Sequence, residues 1–172
     1  ALRVAVEMRA PEFAENLFER ALESTDSTFR GRVLGAVGAS QHPEIGAMLR
    51  GHIGDPRLRD NEAMSVAFRQ VGNEAQREAL WQWAQDEDNL QTLLARIPTW
   101  RKGRIVAVGS GFCSDERADA LEAMFGERVE DLEGGPRALA QTLERIRLCA
   151  ALKREYADEV TSLFSASHAT DA

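Results

Sequence analysis

The chain is poor in the residues that usually betray chemistry. It has two cysteines in 172 residues, Cys113 and Cys149. Their separation matches no metal-ligand spacing, and two cysteines in a chain of this length do not make a disulfide framework. Both are expected to be reduced, small core residues. There are three histidines, His42, His52 and His168, and no H-E-x-x-H. His42 precedes Pro43 and lies outside the helix expected to hold His52, so these side chains read as surface residues and not as a metal site. No apolar run approaches the roughly 20 residues that span a bilayer. No charged-then-apolar leader opens the chain, which favours the cytoplasm as its compartment. Basic residues are in the minority: 21 Lys and Arg against 28 Asp and Glu give a net charge of −7. Such a chain lacks the positive face that neutralises phosphates, which excludes a dedicated nucleic-acid binder. Phosphate loops are missing, since neither G-x-x-x-x-G-K-S/T nor G-x-G-x-x-G occurs. Gly109-Ser110-Gly111 has neither the flanking glycine spacing nor the strands of a nucleophilic serine turn and reads as a softened helix end.

What is present is helix, repeated many times. Hydrophobic residues make up 44% and charged residues 28%, the composition of a single globular domain with a real core. Proline and capping residues place helix starts at Pro11, Asp26, Pro43, Asp60, Glu74, Asp88, Thr99, Ser114 and Pro136. Behind each start, apolar residues recur at helical spacing, as in Leu90, Leu93, Leu94 and Ile97. Leu2–Val6 and Ile105–Val108 are short enough to pass for strands, but no third strand exists to build a sheet around them, and both are assigned to helix. Short helices of similar length, starting about every 15 residues, pair antiparallel and stack into a superhelix. The expected fold class is therefore all-α, antiparallel helical hairpins stacked in the HEAT or armadillo manner. Residues 1–164 form this domain, and 165–172 form a small, polar, disordered tail. The chain opens on Ala1 in apolar sequence, so it is expected to be a fragment whose catalytic centre, if any, lies upstream.

Three features stand out from this background. Arg96, Arg101, Lys102 and Arg104 form a basic cluster around Trp100, near a helix start where the dipole disfavours cations. Placed against that preference, Arg101, Lys102 and Arg104 are candidates for binding a peptide carboxylate. Gly134-Gly135-Pro136-Arg137 offers free N–H groups at a helix start, though a plain helix opening explains it. Trp81 and Trp83 point different ways, so one of them faces the core more fully.

The order of segments carries more than any one of them. Arg32–Gly38 is followed by His42-Pro43-Glu44-Ile45 and Leu49, then by Asp55-Pro56-Arg57-Leu58-Arg59-Asp60-Asn61-Glu62. Further on come Trp81-Gln82-Trp83, Ser110-Gly111-Phe112-Cys113-Ser114 with Ala123-Met124-Phe125, and Leu143-Glu144-Arg145-Ile146-Arg147. From about Ala21 to Phe164 this resembles the C-terminal helical domain of zinc aminopeptidases related to the alanyl, puromycin-sensitive and endoplasmic-reticulum aminopeptidases. Where that family typically has an apolar residue, Arg, any residue, Gln and Asp, this chain has Leu58, Arg59, Asp60, Asn61 and Glu62. The family's second tryptophan after the W-x-F/L helix is missing, with Asp88 near its place. Cys149 and Leu152 stand where its last helix usually has Asn and Trp.

The resemblance implies a parent that removes N-terminal residues from peptides, with zinc held by ligands of a catalytic domain outside this chain. It implies that the helical domain covers the cleft like a bowl, with that upstream catalytic domain and the peptide substrate as its partners. This chain would then hold no catalytic residue, metal or cofactor, and contact neither nucleic acid nor membrane. Arg59, Asn61 and Glu62 would be a structural motif, with Arg59 paired to Glu62 one turn on or to a carboxylate of an adjacent helix. The alternative is a free-standing helical-repeat scaffold that binds a protein or peptide.

Overall fold

Helix starts in this protein are set by side chains that take up the orphan N–H groups of the first turn. In a computed structural model describing the backbone of residues 1–168 and the side chains of residues 1–162, Asp26 Oδ1 accepts from the N–H groups of Thr28 and Phe29 at 2.8 and 3.2 Å. Asn73, Asp86 and Ser114 cap in the same way, accepting from Ala75, Asn89 and Arg117. Pro11 and Pro43 occupy the first turn of their helices, where a missing N–H costs nothing. The resulting elements are α1 (Leu2–Met8), α2 (Pro11–Glu23), α3 (Ser27–Val37), α4 (Pro43–Gly51), α5 (Asp60–Val71), α6 (Glu74–Ala84), α7 (Glu87–Arg96), a 3-10 helix (Thr99–Gly109), α8 (Asp115–Phe125) and α9 (Gly135–His168). Among the described residues there is no strand. The expected start at Asp88 moves two residues, because Asp86 is the side chain that caps. Helix α9 takes up 165–168 of the expected tail; the rest, 169–172, lies outside the described residues.

From α1 to α7 each helix packs on the next or the next but one: α1 on α3, α2 on α3 and α4, α3 on α5, α4 on α5 and α6, α5 on α6 and α7. That contact ladder is the helical-repeat stack the sequence leads one to expect. Two apolar cores result. Phe18, Val33, Ile45 and Leu49 belong to the first; Leu90, Leu93, Ile105, Leu121, Phe125 and Ile146 belong to the second. Helix α5 joins them, giving Ala63 and Val66 to the first core and Ala67 to the second.

The 3-10 helix runs longer than such helices usually do, and its sequence explains why. With three residues per turn, side chains eclipse in three ridges. Gly103, Val106 and Gly109 are buried along one ridge and Ile105 and Val108 along the second. The third, Arg104, Ala107 and Ser110, stays at least partly exposed. Gly103 is required by close approach: a Cβ there would stand 2.7 Å from the Gly135 nitrogen, and its N–H donates to Glu133 O at 3.3 Å. Gly134 supplies the left-handed φ of +71° that turns the chain into α9. The N–H of Gly135 is taken by Leu132 O at 2.8 Å, so the Gly-Gly-Pro opening is a packing feature.

Short helices leave many unpaired carbonyls, and two arginines collect them. Arg30 of α3 is 3% exposed. It donates Nη1 to Ala21 O and Leu22 O at 2.8 and 2.9 Å, closing the end of α2. Its Nη2 reaches Arg57 O at 2.9 Å, and its Nε and Nη2 grip Glu62 at 2.9 and 2.6 Å. Arg96 repeats the device, donating to Ile53 O at 3.0 Å and Asp55 O at 2.7 Å. The hydrogen bonds from Arg30, aided by the Arg59 N–H, hold the Glu62 carboxyl below the usual carboxylate range against the opposing effect of burial.

The two cysteines are not reduced. Cys113 and Cys149 form a disulfide with a Cα–Cα distance of 5.1 Å, across 36 residues of sequence. Packing of α9 over the link before α8 brings them together, which no local spacing reveals.

Two outcomes follow for stability. Arg30→Met strands a buried carboxylate and should cost about 3–5 kcal/mol in urea unfolding, while Arg30→Met with Glu62→Leu should cost much less. Glu62 contributes fully above the unfolded-chain carboxylate value of about 4.3 and loses its contribution as pH falls through its lower folded value. Glu62→Gln should therefore weaken the domain at pH 7 and flatten the decline in stability below about pH 4 in a pH series of melting temperatures. Separately, reducing the disulfide should cost about 4 kcal/mol by loop-entropy reasoning, read as a lower urea midpoint.

Candidate functional site

A groove of about 560 Å³ opens between α5, α6, the 3-10 helix and α9. The exposed ridge of the 3-10 helix forms one wall, with Arg104, Ala107 and Ser110. Ala138, Gln141, Thr142 and Arg145, spaced i, i+3, i+4, i+7 on α9, form a second wall. Phe68 and Val71 at the end of α5, with Arg77 of α6, complete the lining. No acidic side chain lines the groove, in a chain where acids outnumber bases 28 to 21.

None of its three arginines is held by a carboxylate. Arg77 donates Nε to Val71 O at 3.0 Å, capping α5, and its guanidinium lies 5.9 Å from the Phe112 ring. The Arg104 guanidinium stacks 5.6 Å from the Phe68 ring. Arg145 is exposed on α9. Among the described residues, none of the three forms an ion pair, which they share with other arginines such as Arg32 and Arg137, whereas Arg30, Arg57, Arg59, Arg96, Arg117, Arg128, Arg147 and Arg154 do. Guanidinium groups over apolar walls with no carboxylate nearby suit an anion, above all a carboxylate that can accept in bidentate fashion.

The structure divides the basic cluster picked out in the sequence. Arg104 lines the groove. Arg101 begins the same ridge but stacks on Trp100, 5.1 Å from its ring. Lys102 falls on the ridge of Ile105 and faces a separate hollow with Leu90, Leu94, Phe125 and Leu132. Arg96 is half of a carbonyl clamp. In the sequence Arg145 stands out only within the Leu143–Arg147 motif and Arg77 not at all, because both lie far from the basic cluster.

The Arg59, Asn61, Glu62 motif sits at the start of α5. Glu62 is buried and accepts from the Arg59 N–H at 3.0 Å. The Arg59 guanidinium is half-exposed and 3.9 Å from the same carboxylate. Arg30, 32 residues away, supplies the buried partner. Asn61 is exposed beside Met64, Ser65 and Phe68 in a shallow hollow that Arg104 also borders. Trp81 is buried and Trp83 partly so, both against the second core.

The zinc that the resemblance implies does not fit these residues. Among the described residues no group of three or more His, Cys, Asp or Glu converges on a point. His52 Nδ1 bonds Met48 O, and His42 Nε2 bonds Glu7 O, on opposite sides of α4 in sequence. Nor is any described helix long and apolar enough to cross a membrane.

An all-helical repeat stack with a basic, acid-free groove is what the described residues form. The ERAP1-like C-terminal domain family matches residues 1–148, and the chain belongs to that family, the C-terminal domain of aminopeptidases. A search of curated proteins found no match.

Proposed function

We propose that this chain is the C-terminal lid of a zinc aminopeptidase and that the groove of Arg77, Arg104 and Arg145 receives the carboxylate end of the peptide. Family membership supports the aminopeptidase assignment. The observation that carries the peptide role is the acid-free groove with three arginines outside any ion pair. An aminopeptidase acts on the free amine, so the far end of the substrate needs a separate anchor. Guanidinium groups offer a planar, bidentate match to a terminal carboxylate, and Phe68, Val71 and Val106 offer apolar contact to the last side chain. Binding energy spent far from the reacting bond aligns the peptide and excludes water from the cleft, so a domain without a catalytic group can raise the rate. The metal, its ligands and the amine-binding loop would belong to the catalytic domain of the parent. Of the three basic residues suggested by the sequence, Arg104 keeps the substrate role. Arg101 and Lys102 are proposed to act at most through the field of the cluster. The Cys113–Cys149 bridge supports an oxidising compartment for the parent in place of the cytoplasm.

The test is a comparison of substrates. In the full enzyme, Arg104→Glu with Arg145→Glu should lower kcat/KM for long peptides by about 10–100-fold, the worth of a charge-assisted hydrogen bond or two. Aminoacyl-anilide turnover should stay within about two-fold, since that substrate does not reach the groove. Equal losses on both substrates would rule out a distal anchor. Long peptides amidated at the C-terminus should lose the same discrimination without any mutation.

A further inference from the structure

The disulfide ties the link after the 3-10 helix to α9, two segments whose neighbouring residues Ser110, Gly111 and Arg145 line the groove. Gln141, Arg145 and Cys149 follow one another at i, i+4, i+8 on α9, so the bridge continues the stripe that lines the groove. Cys113 belongs to the link between the 3-10 helix and α8, whose first residues, Ser110 and Gly111, line the opposite wall. The link is seated tightly on its other side. A Cβ at Gly111 would stand 2.3 Å from Val71 O and 2.6 Å from Arg77 Nε. Phe112 has the Arg117 guanidinium 4.7 Å and the Arg77 guanidinium 5.9 Å from its ring and meets Trp81 edge-on at 5.9 Å. Toward α9 the polar ties near the bridge are surface ion pairs, Arg154 with Asp115 and Arg147 with Asp119 and Glu122. Exposed pairs of this kind hold weakly. Cys149 is exposed and Cys113 partly so, which leaves the bridge open to thiols.

We propose that the Cys113–Cys149 bond is a redox-sensitive clasp that sets the spacing between the Ser110–Ser114 link and α9, and so the affinity of the groove. The reductant is a dithiol. One of its thiolates attacks a bridge sulfur and forms a mixed disulfide, and the other bridge sulfur leaves as a thiolate and takes a proton. The second thiol of the reductant then closes its own disulfide, and the remaining cysteine departs as a thiol. Two electrons and two protons pass to the protein, and the reductant is oxidised by the same amount. The two apolar cores lie beneath and are untouched, so the reduced domain stays folded while the link loosens. The effect on affinity rests on the reading of the groove as a carboxylate site; the loosening of the link does not.

The experiment uses the whole chain in three forms: oxidised, reduced with dithiothreitol, and carrying Cys113→Ser with Cys149→Ser. Hydrogen exchange should rise about ten-fold at the hydrogen-bonded amides of Ser110, Arg117 and Ala118 in both bridge-free forms, and stay constant at the amides of α2 to α4 that exchange by local fraying and not by the global unfolding that bridge loss speeds everywhere. Binding of N-acetyl-tetra-alanine with a free carboxylate, followed by calorimetry, should weaken about ten-fold and recover on reoxidation. Unchanged exchange at Ser110, Arg117 and Ala118 would overturn the clasp, and so would an equal rise at the fraying amides of α2 to α4. If exchange rises locally but the oxidised chain fails to bind the peptide, the clasp is supported and the carboxylate reading of the groove fails. If the oxidised chain binds and affinity ignores the bridge, its control of the groove is refuted.

Discussion

Helices of seven to thirteen residues spend a large part of their length on ends, and every end leaves carbonyls without a partner. In a stack the inner ends are buried, away from water, where an unpaired carbonyl is costly. Arg30 and Arg96 answer that constraint. Arg30 gathers carbonyls from the end of α2 and from Arg57 in the loop between α4 and α5, and Arg96 gathers Ile53 O and Asp55 O of that same loop. Glu62 then neutralises Arg30 and, through the N–H of Arg59, fixes the start of α5. Because α5 feeds both apolar cores, the placement of one helix end reaches the entire stack.

The groove grows from the same economy of short elements. A 3-10 helix presents three ridges instead of a broad face, so two can be buried while the third stays open to line a cavity. Glycines at 103 and 109 let the buried ridges approach α9 and α8 closely. The open ridge faces the i, i+3, i+4, i+7 stripe of α9. Of the arginines placed there, Arg77 and Arg104 meet aromatic rings and a backbone carbonyl, not acids. The disulfide ties the link after the 3-10 helix to α9.

Local features of the sequence were legible because their physics is local. Asp26 and Ser114 cap the helices that follow them, and Pro11 and Pro43 open theirs, as side-chain chemistry dictates within three residues. The Asp88 start misplaced the cap by two residues because Asp86 and Asp88 are chemically equivalent in sequence. Ile105–Val108 was assignable to helix but not to the 3-10 form, since a period of three differs little from 3.6 over so few residues. Long-range partners were not legible. Arg30 and Glu62 are 32 residues apart and Cys113 and Cys149 are 36 apart. Arg59, the nearer arginine, was the natural partner to name for Glu62, and it stays on the surface because Arg30 already fills the buried side of that carboxylate.

By itself, then, the amino-acid order determined the helical class, the rhythm of short elements, and a chain of motifs that resembles the C-terminal helical domain of an aminopeptidase. Those properties depend on capping, proline geometry and apolar period, all of which act over a turn or two. Tertiary structure alone decided which charges are buried as clamps and which stay free. It also decided which arginines share a groove and that the two cysteines are bonded. Each of those outcomes depends on how helices far apart in the chain come to lie side by side, which packing settles and residue spacing does not.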